Sequence, residues 1–309
     1  MRVEIAWDRL DRAGWEKLFA DAGRSALLQS WAYGEAKAEL EGWHPRRAII
    51  SLDGHPVALA QVLEKRLGGV VRVGRLNRGP VWLRAVSDDE VRLVLAALRA
   101  KWRCWRLGAL FLAPELPLGR AALMAGFRPR KAPLWCSAWL DLSVDGASLR
   151  KRLDGKWRNM LAGAEKAGLA VEVSIHGPAL DWLMERYRAL MADKSFTGTP
   201  PAMIDALARH APDDVLVLRA LAEGEAVAGI LLVRHGASAT YLVGWNGDAG
   251  RRLKANNFLL WQAVETLQRQ GCRWFDLGGI DDVLTPGIAA FKRGMKGEEY
   301  TLAGEFLGL

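Results

Sequence analysis

The sequence is poor in the residues that most often announce chemistry. Its 309 residues include only 3 Cys, 5 His and 4 Tyr. Cys104, Cys136 and Cys272 are odd in number and far apart, so they read as reduced core residues rather than a disulfide framework or a thiolate metal site. His44, His55, His176, His210 and His235 are scattered, and no His/Cys/Asp set has metal-ligand spacing. Neither a metal nor a cofactor is expected. The nucleophile elbow G-x-S-x-G, the P-loop and the dinucleotide glycine fingerprint are missing. No uncharged apolar run approaches the ~20 residues that span a bilayer. The opening MRVEIAWDRLDR mixes charge with apolar residues, unlike a signal peptide. A monomeric, cytoplasmic protein is expected, with peripheral membrane contact left open.

What the chain has is core and positive charge. Hydrophobic residues make up 50% and charged residues 25%, a balance that builds a packed globule. The 14 Trp are numerous and should fill core, with a few available to stack on a ligand. Net charge is +8 and the pI about 9.6. That surplus fits a generic basic surface, or a polyanion partner such as tRNA or a diphosphate.

Helical periodicity covers 8–22, and Ser30 starts a helix that Gly42 ends. Strands follow at 46–52, 57–63 and 70–76, with turns at Asp53-Gly54 and Gly68-Gly69. Ser87 and Glu90 form a capping box for a helix reaching about Trp102. Then come a strand at 107–112, a helix at 118–125 and a strand at 134–142. The second half opens on a basic helix, 149–167, and a strand, 170–175. Helices at 178–192 and 201–210 lead into strands at 215–221, 227–233 and 239–243. A long helix at 254–270, a short strand at 273–277, a helix opened by Pro286 and a final strand at 300–306 complete the chain.

Both halves therefore read helices, three-strand meander, helix, strand, helix, strand. GHPVA at 54–58 echoes GEAVA at 224–228. The fold class is α/β of the mixed α+β kind: two copies of one unit, each a mostly antiparallel central sheet flanked by helices. The boundary falls near SVDG, giving domains 1–142 and 143–309, with the last strand free to return to the first domain.

The chain is organised around 241–296. There a strand end (Tyr241, Trp245, Asn246), a basic turn, a helix N-terminus, the run WFDLGG and a helix carrying Phe291-Lys292 fall close in sequence. Such a place suits an anionic group and a reacting carbonyl.

Several segments together resemble the FemABX family of aminoacyl-tRNA-dependent peptidyltransferases, which pair two tandem GNAT-like acyltransferase units. They are LQSWAYGEAKAELEGW, KWRNMLAGAEKAGLAVEV, YLVGWN, WFDLGGID and PGIAAFKRGM. The resemblance spans nearly the whole chain, and the DLGG and FK runs at this separation form its most specific part. The coiled-coil arm of some members is missing. The resemblance implies transfer of an amino acid from charged tRNA to a peptide amine, with a nucleotide- or lipid-linked muramyl peptide of the cell wall, or another amine, as acceptor. The shared fold also admits an N-acyltransferase using an acyl-CoA or carrier thioester.

By the same resemblance Lys292 lies at the reacting centre, where a cation or N–H donor meets the developing oxyanion. Read alone, it is a solvated lysine on a short basic helix. Phe291 packs beside the reacting groups or fills core. Asp276 orients the acceptor amine, takes its proton, or caps the following loop. Gly278 and Gly279 permit close backbone approach. Lys37, with Trp31 on the same helix, corresponds to the family lysine that holds an acceptor diphosphate, or is solvated beside Glu35 and Glu39. Lys194, near Phe196, and Tyr187, Tyr241, Trp245 and Asn246 fall near acceptor-contact positions, the tyrosines reading equally as core. Lys156, Arg158, Arg251, Arg252 and Lys254 are basic enough to track tRNA phosphates, or form a solvated face. Acetyl-CoA-using GNAT proteins carry Arg/Gln-x-x-Gly-x-Gly/Ala here. Lys254 and Asn256 replace both glycines, which argues against a close pyrophosphate cradle.

Overall fold

The computed structural model of the chain describes residues 1–103, 107–194 and 198–309, so Cys104 and Phe196 lie outside the described residues. Two units are formed. Met1–Cys136, His235–Ala237 and Tyr300–Leu309 make the first, and Ser137–Arg234 with Ser238–Glu299 the second.

The chain begins with β1 (Val3–Trp7), α1 (Arg12–Asp21), α2 (Trp31–Glu41), β2 (His44–Leu52), β3 (His55–Leu67) and β4 (Val71–Gly79). β5 (Val81–Trp82), α3 (Asp88–Arg99), β6 (Gly108–Pro114) and β7 (Arg128–Arg130) follow. Next come β8 (Cys136–Asp141), α4 (Gly146–Arg152), α5 (Gly155–Lys166), β9 (Ala170–Ile175), α6 (Pro178–Lys194) and α7 (Pro201–His210). The remainder is β10 (Val215–Ala222), β11 (Glu225–His235), β12 (Ser238–Asn246), α8 (Asp248–Arg252), α9 (Ala255–Arg269) and β13 (Trp274–Asp276). α10 (Pro286–Arg293), β14 (Glu298–Thr301) and β15 (Glu305–Gly308) end the chain. No helix among the described residues is long and apolar enough to cross a membrane.

Two mixed sheets result, flanked by helices. One has the order β1-β2-β3-β4-β6-β15-β7, with β5 beside β3; the other runs β14-β8-β13-β12-β11-β10-β9. Each contains an antiparallel meander, β2-β3-β4 or β10-β11-β12, followed by one parallel pair. The first hairpin turns in both meanders use successive left-handed residues, Asp53 (φ 47°) with Gly54 (φ 83°) and Glu223 (φ 52°) with Gly224 (φ 87°). Such turns match the right-handed twist of the strands they join. The sheets also trade strands. β8 ends the first half of the sequence yet pairs with β13, and β15 ends the second half yet pairs with β6.

The parallel pairs differ. β4 lies against β6 from Arg72↔Gly108 to Gly79↔Pro114, closing that sheet. β12 pairs with β13 only from Ser238↔Trp274 to Thr240↔Asp276. Beyond Thr240 the β12–β13 ladder ends while β12 runs on to Asn246, and the residues around Lys292 gather at this opening.

Local sequence explains most elements. The Ser87 capping box is formed, with Ser87 Oγ accepting from Glu90 N and the Glu90 carboxylate accepting from Ser87 N. Ser30 Oγ accepts from Tyr33 N at 3.2 Å, and Gly42 ends α2 at φ 65°. α9 turns Leu259, Leu260, Ala263, Val264 and Leu267 into the core at helical spacing.

Several elements depart from the sequence-based expectation, among them β5, β7 and α8, none of them expected from the sequence. VEIAW forms β1, a strand not expected there, because Ile5 pairs opposite Ile50 on the edge of the sheet. The expected helix 149–167 is two helices, since Asp154 leaves helical geometry and its carboxylate accepts from Lys156 N and Trp157 N. Residues 118–124 wind as a 3₁₀ helix. The expected strand 300–306 breaks into β14 and β15 around Gly304 (φ 98°).

Candidate active site

Lys292 is buried, 7% exposed, although Arg293 and Lys296 beside it make the local sequence look solvated. Its ammonium donates to the Gly279 carbonyl at 2.7 Å and lies 5.3 Å from the centre of the Tyr241 ring. Burial lowers its pKa to about 8, opposed by the Asp276 charge. A group with that pKa is still mostly protonated at neutral pH, but close to losing its charge. Burial likewise pushes the Tyr241 hydroxyl up to about 12, so it stays a neutral donor.

β12, β13 and the turn after β13 assemble this site. Asp276 is 2% exposed. Its Oδ1 accepts from Gly278 N at 2.9 Å and from the Ser137 hydroxyl on β8. Gly278 has φ +69°, and a Cβ there would sit 2.5 Å from the Tyr241 carbonyl and 3.5 Å from Lys292 Nζ. Glycine is therefore required twice, for conformation and for space. Asp276, Gly278, Gly279, Tyr241 and Lys292 are brought together. Ser137 joins them without any signal in its local sequence.

Phe291 and Lys292 point to different sides of α10. Phe291 stacks on Trp157 of α5, with centroids 6.0 Å apart, and Trp157 Nε1 donates to the Phe291 carbonyl at 3.0 Å. Gly294 permits this packing, since a Cβ would fall 2.3 Å from Trp157. On this side lies a cavity of about 510 Å³, lined in part by Lys156, Asn257, Gly287, Phe291, Arg293 and Lys296. A second, of about 640 Å³, is lined by residues including Lys156, Asn159, Arg252 and Lys254. Lys156 and Met160 line both, so the two hollows meet along α5.

This groove is basic and incompletely satisfied. Lys156, Arg252 and Lys254, all expected as anion contacts, converge on it. Lys254 is left-handed at φ 58° and precedes the first turn of α9, which has no side-chain cap. Asn257, missed in the sequence reading, is 6% exposed and its Nδ2 has no partner among the described residues. Its position in the first turn after a basic loop was the available signal. Two other basic residues lie off the groove lining: Arg251 pairs with Asp248, and Arg158 donates to the Lys151 carbonyl.

The remaining expected residues occupy separate settings. Trp245 meets Trp182 edge to face at 5.4 Å, with Arg186 4.3 Å above the Trp182 ring. The neighbouring Asn246 Oδ1 is buried and has no partner among the described residues. Tyr187 is buried in α6, which raises its pKa. Lys194 pairs with Asp193 at 3.1 Å and is 64% exposed. In the first unit, Trp31 lies beneath the Arg47 guanidinium at 3.4 Å, and Arg47 binds Glu35 at 2.8 Å. Lys37 pairs with Glu41, rather than standing free beside Glu35 and Glu39.

Residues 147–293 match the acetyltransferase (GNAT) domain family. Among solved structures, FemX aligns with a TM-score of 0.81 at 16% identity, covering 98% of this chain and 97% of that one. L-PGS from Bacillus licheniformis aligns at 0.54 and 15% identity, covering 96% and 91%. A tandem GNAT protein from the clavulanic acid biosynthesis pathway aligns at 0.50 and 15%, covering 99% and 98%. No curated protein matches this chain in sequence. The fold is thus FemABX-like, a tandem of GNAT-like units.

Proposed function

We propose that this FemABX-like acyltransferase moves an aminoacyl group from a charged tRNA to an amine on a peptide, with a muramyl peptide of the cell-wall precursor as acceptor. The observation that carries the reading is the buried Lys292 ammonium at the point where β12 and β13 part. One of its N–H groups is taken by Gly279, which leaves two donors.

The acceptor enters as a neutral amine. Its nitrogen attacks the ester carbonyl, forming the N–C bond and a tetrahedral oxyanion. Lys292 donates to that oxygen in a site where burial strengthens the interaction. The ester C–O bond then breaks. The terminal ribose oxygen of the tRNA leaves and takes up a proton, while the former amine gives one up. Asp276 acts as a positioning residue: it holds the Gly278 amide and favours the charged form of Lys292.

The groove of Lys156, Arg252 and Lys254 supports an RNA donor by supplying phosphate partners. Side chains at Lys254 and Asn256 weigh against acetyl-CoA, because they crowd the amides that would cradle its pyrophosphate. Single-turnover release of labelled amino acid from charged tRNA tests the reaction. Release should require both a muramyl pentapeptide and Lys292. Release that ignores either would sink the proposal.

A further inference from the structure

The β3–β4 hairpin of the first unit extends past its neighbours in the sheet. β2 stops pairing at His44↔Glu64, and β6 begins opposite Arg72. The hairpin continues through Lys65↔Val73, Arg66↔Arg72 and Leu67↔Val71, closing on Gly68 and Gly69. The overhanging end is aliphatic where a solvated turn is ordinarily polar. Leu67 is 56% exposed, Val70 59% and Val71 40%, and Leu107 beside them is 53% exposed. Arg72 N donates to the Leu107 carbonyl at 2.8 Å, so Leu107 belongs to the same surface.

Basic residues surround this tip. Arg66, Arg75 and Arg103 are exposed. Lys65 lies 4.6 Å over the Trp43 ring. The neighbouring acid, Glu64, is 6% exposed and is bound by Arg72 at 2.9 Å and by Trp102 Nε1 at 3.1 Å. It therefore offsets little of the field outside. Glu41, near Lys65, is already paired with Lys37. An aliphatic cap backed by exposed cations complements an anionic bilayer, with methyl groups entering the acyl boundary and cations remaining among headgroup phosphates. RNA fits less well, because single strands are held by aromatic stacking platforms and the large exposed apolar side chains of the tip among the described residues are aliphatic.

We propose that the 65–72 hairpin, with Leu107, is a membrane-contact element that seats the protein on an anionic phospholipid surface. It contains no span, so attachment is peripheral, reversible and sensitive to salt. Membrane contact of this kind is independent of the aminoacyl-transfer reading and remains if the donor proves to be a thioester.

The test is co-sedimentation of the whole protein with vesicles, either equal parts phosphatidylglycerol and phosphatidylcholine or phosphatidylcholine alone, at low and high salt. Wild-type protein should bind the anionic vesicles and release at high salt. Leu67→Ser with Val70→Ser should weaken binding about tenfold, and so should Arg66→Glu with Arg75→Glu. Both variants alter exposed positions and should keep the wild-type melting temperature, which confirms that they fold. The proposal is overturned if wild-type protein ignores anionic vesicles, or if either folded variant binds them as tightly. A tip-dependent dimer without vesicle binding would also overturn it, in favour of a second copy of the chain.

Discussion

The Lys292 ammonium reaches back 13 positions to the Gly279 carbonyl, 2.7 Å away. This hydrogen bond ties α10 to the turn after β13 and fixes a cation where the parallel ladder ends. Ammonium groups are seldom buried, because desolvation disfavours the charged form. Here that penalty appears as the fall of its pKa to about 8. The arrangement makes sense for a group that stabilises negative charge during reaction and is kept from water beforehand.

Replacing Lys292 by Met should therefore lower the turnover rate by ~10²–10³ with little change in fold, the usual loss when one oxyanion donor is removed. The pH profile gives an independent check. Wild-type activity should fall as pH rises through about 8, where Lys292 gives up its proton. The residual activity of the variant should lack that limb.

Gly278→Ala should damage both stability and turnover. The substitution forces a Cβ to within 2.5 Å of the Tyr241 carbonyl at φ +69°. Backbone strain of this kind costs ~1–3 kcal/mol. Gly287→Ala has nothing within 4 Å of its Cβ and serves as the control, with a melting temperature close to wild type.

Charge reversal at Arg252 and Lys254 should weaken tRNA binding while leaving the fold intact, since Lys254 is a loop residue and both side chains line an open groove. Each phosphate partner removed should reduce the salt slope of binding by about 1. Binding measured at several salt concentrations checks this, and an unchanged slope would place the RNA elsewhere.

Acid should destabilise the first unit. Burial, together with the Arg78 charge, lowers the His235 pKa from 6.5 to about 3. Between those values the unfolded chain binds a proton that the folded chain refuses. Stability should thus drop as pH falls below 6.5, at up to ~1.4 kcal/mol per pH unit from this group. In His235→Gln that dependence should shrink, as read by chemical denaturation between neutral and mildly acidic pH.

Much of this architecture is legible in the sequence because local rules agree with the final fold. The Ser30 and Ser87 caps, the Asp53-Gly54 and Gly68-Gly69 turns and the apolar stripe of α9 each carry their own signal. The return of the last strand, β15, to the first sheet is allowed for in the sequence, but the pairing of β8 with β13 is not visible, since strand pairing at long separation leaves no mark on the strands themselves. Asp154-Gly155 shows the opposite case. Its N-cap signal is present, but the basic helical pattern on both sides hides it.

The site divides similarly. Lys292, Asp276 and the two glycines stand out through family resemblance, and their convergence follows from where β12 and β13 end. The burial of Lys292 does not follow from its neighbours, because the rotation of α10 that sends Phe291 to Trp157 also turns Lys292 inward. Ser137 and Asn257 are ordinary polar residues in sequence. Only the folded chain gives one a carboxylate and leaves the Nδ2 of the other without a partner among the described residues.

The identity of the donor is the decisive question, and one transfer assay addresses it. The protein is incubated with a nucleotide-linked muramyl pentapeptide and either total charged tRNA or acetyl-CoA, with Lys292→Met alongside. Mass spectrometry then reads the peptide. An amino-acid mass should be added from tRNA alone and should be lost in the variant. An acetyl mass gained from acetyl-CoA, with nothing from tRNA, would refute aminoacyl transfer and assign the site to thioester chemistry.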